Sequence, residues 1–420
     1  MKLKHKALPF VVLFLIVQEI VNHQKAWLIL LLGLGGALGL GYLWARSLMK
    51  GLHFERERRF SWAKVGDRLQ ERFELKNNGR FPAIWVTVVD HSDFPGYQVS
   101  TARFLEGRGA RRWLKGNVCY TRGLYSWGPT DLETGDPFGI FQVRIHYADV
   151  RTLLVIPPVI PLPSIEIASG DQPGEGGTKA FALERTITAA TVRDYVPGDD
   201  LHSIHWLTSA RRDDLFVRVF DQTPTSDWWI LMDMQRQVQI GEAQDSTHEY
   251  AVILAASIAD RGLRYGRAVG LVAEGQESIW LPPQTGSAQR WEILRSLATV
   301  RLGELAFDRV LANTQRALGR NSSVIVVTPS LDQRWLDALV VLRQRNVAVT
   351  VLLQDPQSFG GQQEPDMMLA RLKSLGINYH RITPDIYQMP STLDYFVWRK
   401  SPHGRSSSVF TVSDLDWGKL

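Results

Sequence analysis

Cysteine is almost absent from this chain, and its scarcity excludes one class of fold. The 420 residues contain a single cysteine, Cys119. No intramolecular disulfide can form, so a small secreted domain held together by disulfides is excluded. Cys119 lies in the strand-like stretch "NVCYTRG", where we expect it to be a small buried hydrophobic residue.

The sequence also lacks an excess of charge of one sign. It has 48 Lys and Arg residues against 43 Asp and Glu residues, which leaves a net charge of +5. The arginines are scattered among acidic residues, so the composition does not require a nucleic-acid partner. One basic stretch, "TARFLEGRGARRWLKG" at 101–116, could be a nucleic-acid loop or a solvated hairpin beside a packed Trp113. The hairpin is the favoured interpretation, and we expect no nucleic-acid partner.

Familiar catalytic signatures are missing as well. Ser203 and Ser209 lie near histidines in the sequence, but neither belongs to a Gly-x-Ser-x-Gly nucleophile elbow. No repeat of fixed period is visible. What the chain does have is length for two or three domains and 45% hydrophobic residues, enough to bury sizeable cores.

Two apolar runs stand near the N-terminus. The first covers 7–17 and extends at most to Val21, whereas the second, 26–45, has the roughly 20 residues that cross a bilayer. The first run alone could be the core of a signal peptide. No small-x-small cleavage site follows it, however, and the second run comes almost at once. The sequence therefore predicts a transmembrane helical hairpin, with helices at about 7–21 and 26–45.

Basic residues flank the outer ends of this hairpin. The connecting loop has only Lys25, whereas the outer flanks carry Lys2, Lys4, Lys6, Arg46, Lys50, Arg56, Arg58 and Arg59. Basic residues near membrane segments are retained on the cytoplasmic side. We therefore predict a two-pass protein of the inner (plasma) membrane, with the lipid bilayer as a partner and the soluble domains in the cytoplasm.

The hydrophobic period changes along the rest of the chain. Short alternating runs with turns between them predict a small antiparallel β domain, and apolar strands alternating with amphipathic helices later predict an α/β domain with a doubly wound parallel sheet. The predicted organisation is a membrane hairpin at 1–50, a β-sandwich-like domain at 51–163, a Gly/Pro-rich linker at 164–182, a motif segment at 183–225, the α/β domain at 226–385 and a polar tail at 386–420.

Within the motif segment, the stretch "TVRDYVPGDDLHSIHW" at 191–206 brings a Pro-Gly pair, two adjacent aspartates, two histidines and a tryptophan close together in the sequence. Pro197 and Gly198 fit the centre of a type II turn, and Asp199 or Asp200 can cap a short helix that follows. In one interpretation, His202 and His205 bind a metal with one of these aspartates, although their i, i+3 spacing differs from the usual i, i+4 pair. In the favoured interpretation, the segment is a structural clamp with a buried tryptophan and local ion pairs. Its residues are Arg193, Tyr195, Pro197, Gly198, Asp199, Asp200, His205, Trp206 and Arg211.

The same residues carry a resemblance to a known family. "RDYVPGDDLHSIHWLTSAR" followed by "LFVRVFD", together with "TRGLYSWGPTDLETGDPFGIF" upstream, resembles the domain of unknown function 58 family of bacterial membrane proteins. Two positions depart from the family pattern, because His202 and Leu207 stand where arginine and lysine are usual. The resemblance implies a von Willebrand factor A-like α/β domain. It also implies a MoxR-type AAA ATPase as partner in assembling or maturing a client protein.

A von Willebrand A domain with adhesion chemistry binds Mg²⁺ through Asp-x-Ser-x-Ser after its first strand, with help from a later threonine and aspartate. Here the first strand ends "MDMQRQ", which keeps Asp233 but places Gln235 and Gln237 at the serine positions. The later strand keeps Thr328 and follows it with Pro329. Since Mg²⁺ prefers carboxylate and hydroxyl oxygens, we expect a degenerate site at Asp233 and Thr328 with no metal and no cofactor.

The functional prediction is a membrane-anchored binding or adaptor protein without catalysis. The alternative is a metal-dependent hydrolase that uses Asp199, Asp200, His202 and His205.

Overall fold

The structure of the protein is a computed structural model. It describes residues 1–4, 6–22, 24–58, 60–97, 100–163, 165–168, 191–195, 206–212, 214–219, 226–319 and 322–387.

The N-terminal part consists of a short strand and two apolar helices, β1 (Lys2–Leu3), α1 (Leu8–Val21) and α2 (Lys25–Gly51). Among the described residues, α2 is the one helix long and apolar enough to cross a membrane, and α1 has 14 residues. The ring of Phe14 meets that of Trp27 edge-on, with centroids 6.4 Å apart. Large apolar side chains on both helices are exposed, including Phe10, Leu13, Ile16, Val17, Ile20, Leu28, Ile29, Leu30 and Leu32.

Helix α2 is longer than the sequence predicted. The prediction ended it at Ala45, but it continues to Gly51 and leads directly into the next strand. Gly41, Ala45 and Leu48 form a buried face of its last turns, because they pack against the β domain at helical spacing. The prediction was wrong at this boundary because it ended the helix where the apolar run ends, whereas the helix continues through polar residues while Leu48 packs against protein.

Ten strands form the β domain. They are β2 (Leu52–Glu57), β3 (Trp62–Lys64), β4 (Arg68–Asn77), β5 (Ala83–Asp90), β6 (Thr101–Leu105), β7 (Ala110–Val118), β8 (Gly123–Trp127), β9 (Thr130–Gly135), β10 (Phe141–Tyr147) and β11 (Arg151–Ile156). They make sheets in the orders β1-β10-β9-β5-β6, β2-β4-β7 and β3-β11-β8. All pairings are antiparallel except the one between β3 and β11. The first two sheets share one apolar core.

Arg56 lies inside the β domain with its charge compensated. Its guanidinium lies 2.9 Å from a Glu71 oxygen and 2.7 Å from an Asp90 oxygen, and it stacks 5.4 Å from the Phe73 ring centre. The side chains of Arg56 and Arg58 are only 4% and 3% exposed. Arg56 and Arg58 are among the basic residues predicted to flank the membrane hairpin. Both form ion pairs within the protein, since an unpaired buried charge would be costly.

The chain between the two domains is packed against the α/β domain. Ile165 is buried, and its carbonyl oxygen accepts a hydrogen bond of 2.9 Å from Arg261. The N–H of Ala168 donates to the Thr350 hydroxyl at 2.9 Å. The predicted linker begins at residue 164, yet residues 165–168 contact the second domain; the rest of that linker, 169–182, lies outside the described residues.

The α/β domain has a mixed six-stranded sheet in the order β16-β15-β14-β17-β18-β19. Its strands are β14 (Asp227–Met232), β15 (Val269–Glu274), β16 (Ser278–Gln284), β17 (Ser322–Thr328), β18 (Ala348–Gln354) and β19 (Asn378–Ile382). Its helices are α4 (Thr247–Arg264), α5 (Gly286–Thr299), α6 (Phe307–Thr314), α7 (Arg334–Gln344) and α8 (Asp366–Ser374). Helices α4 and α5 cover one face of the sheet and α6, α7 and α8 the other.

The sheet differs from the parallel one predicted, because its edge strand β16 runs antiparallel to β15. The sequence "SIWLPPQ" did not indicate a strand, since its two prolines cannot donate to a ladder. Prolines are tolerated in edge strands, where one row of N–H groups has no neighbour.

Arg122 joins the β domain to the α/β domain. Its side chain is 6% exposed and forms an ion pair with Glu249 of α4. It also donates to the carbonyl oxygens of Leu297 and Val300 at the end of α5, both at 2.8 Å. Burial raises the pKa of Glu249, but His248 and Arg122 favour the charged form more strongly, so this pKa is lowered overall.

We expect Arg122→Ala to lower the free energy of unfolding by about 3–5 kcal/mol, because it leaves a half-buried carboxylate and two carbonyl groups without their donor. Denaturant unfolding of the full chain in detergent measures this loss. Arg112→Ala is the control, since Arg112 is 70% exposed in its pair with Glu74 and should cost less than about 1 kcal/mol. Equal effects of the two variants would contradict the proposed role of Arg122.

Candidate functional site

The strand order of the α/β domain reverses at β14. From this strand the chain passes to β15 and β16 on one side, and then returns to β17, β18 and β19 on the other. In open α/β sheets, the crevice outside the carboxyl ends of the strands at such a reversal is where ligands bind. Asp233 directly follows β14, and Thr328 ends β17 beside it. The two residues predicted to form the degenerate site therefore lie together at this position.

Asp233 is buried, and both of its carboxylate oxygens have donors. The Thr328 hydroxyl donates to Oδ2 at 2.7 Å, and the N–H of Gln235 donates to Oδ1 at 3.1 Å. Asp233 is only 1% exposed. Burial raises the pKa of Asp233 to about 6, although the hydrogen bonds from Thr328 and Gln235 oppose this shift.

The residues around Asp233 do not fit a Mg²⁺ ion. The amide side chains of Gln235 and Gln237 contact each other, with Nε2 and Oε1 3.3 Å apart. Thr328 directs its hydroxyl hydrogen towards Asp233 and accepts the N–H of Ser330 at 2.9 Å. The described residues contain no group of three His, Cys, Asp or Glu side chains arranged to hold a metal. One carboxylate with its lone pairs engaged is a poor ligand set for a hard cation.

A groove of about 850 Å³ lies at this carboxyl edge of the sheet. Three segments line it, with residues from 237–240 after β14, from 329–333 after β17, and from 361–371 in the loop after β18 and the first turns of α8. Amide groups are frequent in it, from Gln237, Gln333, Gln362 and Gln363. Met367 is 79% exposed at the groove, whereas Met368 packs into the core. The lining thus combines hydrogen-bonding amides with an exposed, adaptable thioether.

The groove has no arrangement for nucleophilic catalysis. Among the described residues that line it there is no histidine or cysteine, and Ser330 is its one serine. The Ser330 hydroxyl accepts the N–H of Asp332, whose carboxylate is paired with Arg334 at 2.7 Å from Nε. A nucleophile needs a base within hydrogen-bond reach, so Ser330 lacks what activation requires in this geometry.

The described parts of the motif segment are two strands and a short helix. Strands β12 (Thr191–Asp194) and β13 (Phe216–Val219) pair antiparallel, with α3 (Trp206–Arg212) between them in sequence. The Ser209 hydroxyl accepts the N–H of Phe216 at 2.9 Å. Arg193 lies in β12, and Tyr195 follows it with its N–H donating to the carbonyl of Leu215.

The structure corrects one element of the predicted clamp. Trp206 was expected to be buried, but its side chain is 65% exposed at the start of α3. Arg211 is exposed as well. An indole ring that stays in water contributes little burial energy, so this residue does not stabilise the fold as the clamp requires.

The remaining motif residues lie outside the described residues. They are Pro197, Gly198, Asp199, Asp200, His202 and His205. Neither the predicted turn nor the alternative metal site is therefore tested.

Sequence reasoning missed most of the groove. It identified Asp233 and Thr328 beside the groove through the resemblance to a von Willebrand A domain, but not the contribution of residues 361–371. The available signal was weak: "GGQQEP" has glycines and a proline after a buried strand, which indicate only a loop.

Comparisons with known proteins give relatives without an assigned activity. The family described as "protein of unknown function DUF58" matches residues 191–363. The uncharacterized protein YeaD of Bacillus subtilis is 26% identical over 324 residues, covering 73% of this chain and 77% of that protein. The uncharacterized protein Rv1480 of Mycobacterium tuberculosis is 25% identical over 198 residues, covering 46% of this chain and 62% of its own length. The chain therefore spans less than two thirds of that relative.

Among solved structures, similarity is found to an aerotolerance-related membrane protein from Bacteroides fragilis. That structure covers 39% of this chain and 94% of its own at 16% identity, with a TM-score of 0.29. A similarity at this score carries no argument about the fold.

The raised pKa of Asp233 predicts a pH dependence of stability. A carboxyl group whose pKa rises from 3.8 to about 6 on folding stabilises the protein fully below pH 3.8, and this contribution is lost as the pH rises through 6. The loss is about 3 kcal/mol at about 1.4 kcal/mol per pKa unit. We therefore expect Asp233→Asn to raise the melting temperature at pH 7.5 and to flatten its decline between pH 4 and 6.

Calorimetric melting curves of the full chain measure this effect. Asp332→Asn is the control, because Asp332 lies on the same edge but is not buried. If Asp233→Asn lowers the melting temperature equally at both ends of this pH range, the carboxylate of Asp233 is not destabilising.

Proposed function

Residues 191–363 of the chain belong to the DUF58 family, and on this basis we propose that the protein is a membrane-anchored binding protein rather than an enzyme. The observation that carries the proposal is the groove at the strand reversal. It has the place and size of a ligand site, but the described residues that line it include no nucleophile with a base and no fitting metal ligands.

The lining of the groove suits a segment of another protein. Its amide groups both donate and accept hydrogen bonds, as an extended backbone requires. Met367 offers an exposed flexible side chain that adapts to different apolar partners. We take the occupant to be a segment of a MoxR-type AAA ATPase or of the client protein, with the protein acting as an assembly or maturation factor. The finer assignment of the α/β domain to the von Willebrand factor A class is part of the same proposal.

The anchor in this proposal is the apolar helix α2 together with α1. Exposed apolar side chains cover both helices, and such a surface is stable in lipid but not in water. We propose that the pair is a hairpin with both ends in the cytoplasm, because the basic residues Lys2, Lys4, Lys6, Arg46 and Lys50 flank its outer ends.

We expect Met367→Asp to weaken binding of the MoxR-type ATPase at least about tenfold, because a charge replaces an apolar contact in the groove. Biolayer interferometry with the purified ATPase from the same organism and the full chain in detergent measures this affinity. Tyr265→Asp is the control, since Tyr265 is 59% exposed but lies after α4 at the opposite edge of the sheet. Equal binding by wild type and both variants would exclude the groove, and absence of binding by the wild type would exclude this partner.

A metal titration separates the binding protein from the alternative hydrolase. We expect the melting temperature of the full chain to stay unchanged when Mg²⁺, Mn²⁺ or Zn²⁺ is added, since a metal bound by the folded state would raise it. A rise that disappears in Asp233→Ala would place a metal at the carboxyl edge. A rise that disappears in His202→Ala and His205→Ala would instead support the hydrolase that uses these histidines with Asp199 and Asp200.

A further inference from the structure

Both ends of the apolar helix pair contact the same strand of the β domain, β10. Leu3 pairs with Phe141 at the start of β10, and the next N–H, of Lys4, donates to the Ile140 carbonyl at 2.9 Å. The ring of Tyr42, in α2, contacts that of Phe141 with centroids 6.0 Å apart. The chain therefore leaves the β domain at β10, forms α1 and the first part of α2, and returns to the same edge.

Aromatic side chains lie on α2 and on the neighbouring part of the β domain. We call this set the aromatic rim, and it consists of Tyr42, Trp44, Phe81, Trp85, Phe138 and Phe141. Trp44 stacks on Phe81 with centroids 4.7 Å apart and donates its indole N–H to the Pro82 carbonyl at 2.9 Å. Tyr42, Trp85 and Phe138 remain 41%, 38% and 55% exposed.

The turn that carries Phe138 lies beside Gly41 of α2. Gly41 is the first buried residue of this helix, after its exposed part. Asp136 accepts the N–H of Phe138 at 2.9 Å and also that of Phe141. A Cβ atom at Gly41 would lie 3.2 Å from the Asp136 carboxylate, which shows how closely the turn approaches the helix. A hydrogen-bonded turn therefore places Phe138 beside the helix, where its side chain is exposed and does not contribute to the core.

Exposed basic residues accompany the rim. Lys2, Lys4 and Lys6 lie next to β10 and the start of α1, and Arg46 lies one turn below Tyr42. The Arg46 guanidinium donates to the Tyr42 hydroxyl at 3.3 Å. Tyrosine and tryptophan at the border of an apolar helix, with lysine and arginine beside them, are typical of the headgroup layer of a membrane.

The length of the free helices brings the rim to the membrane surface. Residues 25–40 of α2 precede its packed part and rise about 24 Å at 1.5 Å per residue. Helix α1, with 14 residues, rises about 21 Å. Both lengths fall short of the roughly 30 Å hydrocarbon core, so a hairpin can span it only where the bilayer thins locally. Any space between the β domain and the lipid would increase this mismatch, which favours direct contact between the two.

We propose that the aromatic rim and its basic residues enter the headgroup layer of an anionic bilayer, so that the β domain is seated directly on the membrane. This inference rests on the membrane anchor of the proposed function. It adds a second lipid-binding surface, on a folded domain, with phospholipid headgroups as the ligand.

Single-cysteine labelling tests the proposal in the full chain. The native Cys119 is buried and burial raises its pKa to about 12, so it does not compete for a thiol reagent at neutral pH. Leu32→Cys in α2, Phe138→Cys in the rim and Met367→Cys in the α/β domain replace side chains that are all exposed. Each variant is labelled with an environment-sensitive dye and reconstituted into vesicles of phosphatidylcholine and phosphatidylglycerol that contain headgroup-attached or chain-attached spin-label quenchers.

We expect the headgroup quencher to lower the fluorescence at position 138 strongly, the chain quencher to lower it at position 32, and neither to affect position 367. Quenching at 32 without quenching at 138 would overturn the seated β domain and leave the anchor intact. Absence of quenching at both positions would overturn the anchor itself, and with it the proposed function.

The charge of the lipid is tested in the same vesicles. Replacing Lys2, Lys4 and Arg46 by Gln should reduce the quenching at position 138 when phosphatidylglycerol is present, and should change it little in phosphatidylcholine alone. The matched control replaces Arg316, Arg343 and Arg345 of the α/β domain by Gln. These residues are exposed, and their replacement removes the same number of positive charges. If the rim and control variants behave alike, the preference for anionic headgroups is overturned.

Discussion

The packing of the last turns of α2 on the β domain is the constraint on which the arrangement of the molecule depends. Gly41, Ala45 and Leu48 press one face of the helix against the sheets, and the chain passes from Gly51 into β2 without a loop. A helix transmits direction along its whole length because its hydrogen bonds run along its axis. The orientation of the apolar part of α2 therefore determines how the β domain stands relative to a membrane.

The same rigidity continues towards the α/β domain. Arg122 binds two carbonyl groups at the end of α5 and Glu249 on α4, and residues 165–168 lie along the starts of β17 and β18. These contacts involve charged or buried groups that cannot rotate away without losing their partners. In the proposed membrane-anchored protein, the groove is consequently held in one direction relative to the bilayer, which suits a protein that presents a binding site to partners in solution.

The polar side chains around Asp233, beside the groove, determine which ligands this edge of the sheet can bind. The amides of Gln235 and Gln237 contact each other, and Thr328 uses its hydroxyl to solvate Asp233. The carboxylate is left buried with two donors, and its pKa rises because this environment stabilises it less than water does. Polar groups that are satisfied within the protein hold the ends of β14 and β17 together, while the open volume above them has an amide-rich and apolar lining.

The sequence by itself determined the local elements of this protein. Apolar runs indicated α1 and α2, and alternating periods separated the β domain from the α/β domain. The strand before Asp233 is confirmed. These features follow from the side-chain pattern of single segments, because burying one face requires a period of two in a strand and about 3.6 in a helix. Asp233 and Thr328 were found differently, through the resemblance to a von Willebrand A domain and their places at the ends of two apolar strands.

Only the tertiary structure decided which surfaces these elements bury. It moved the end of α2 from Ala45 to Gly51, because the end of an apolar run does not show whether the helix ends there or continues against the protein. It exposed Trp206, which the motif pattern suggested was buried, and it added β16 as an antiparallel edge strand. Arg122 gained its role from contacts between segments far apart in the chain, and Phe138 from the close approach of its turn to Gly41 of α2. Such contacts leave no period in the sequence, because they depend on how the finished domains meet and on which side chains that meeting leaves exposed.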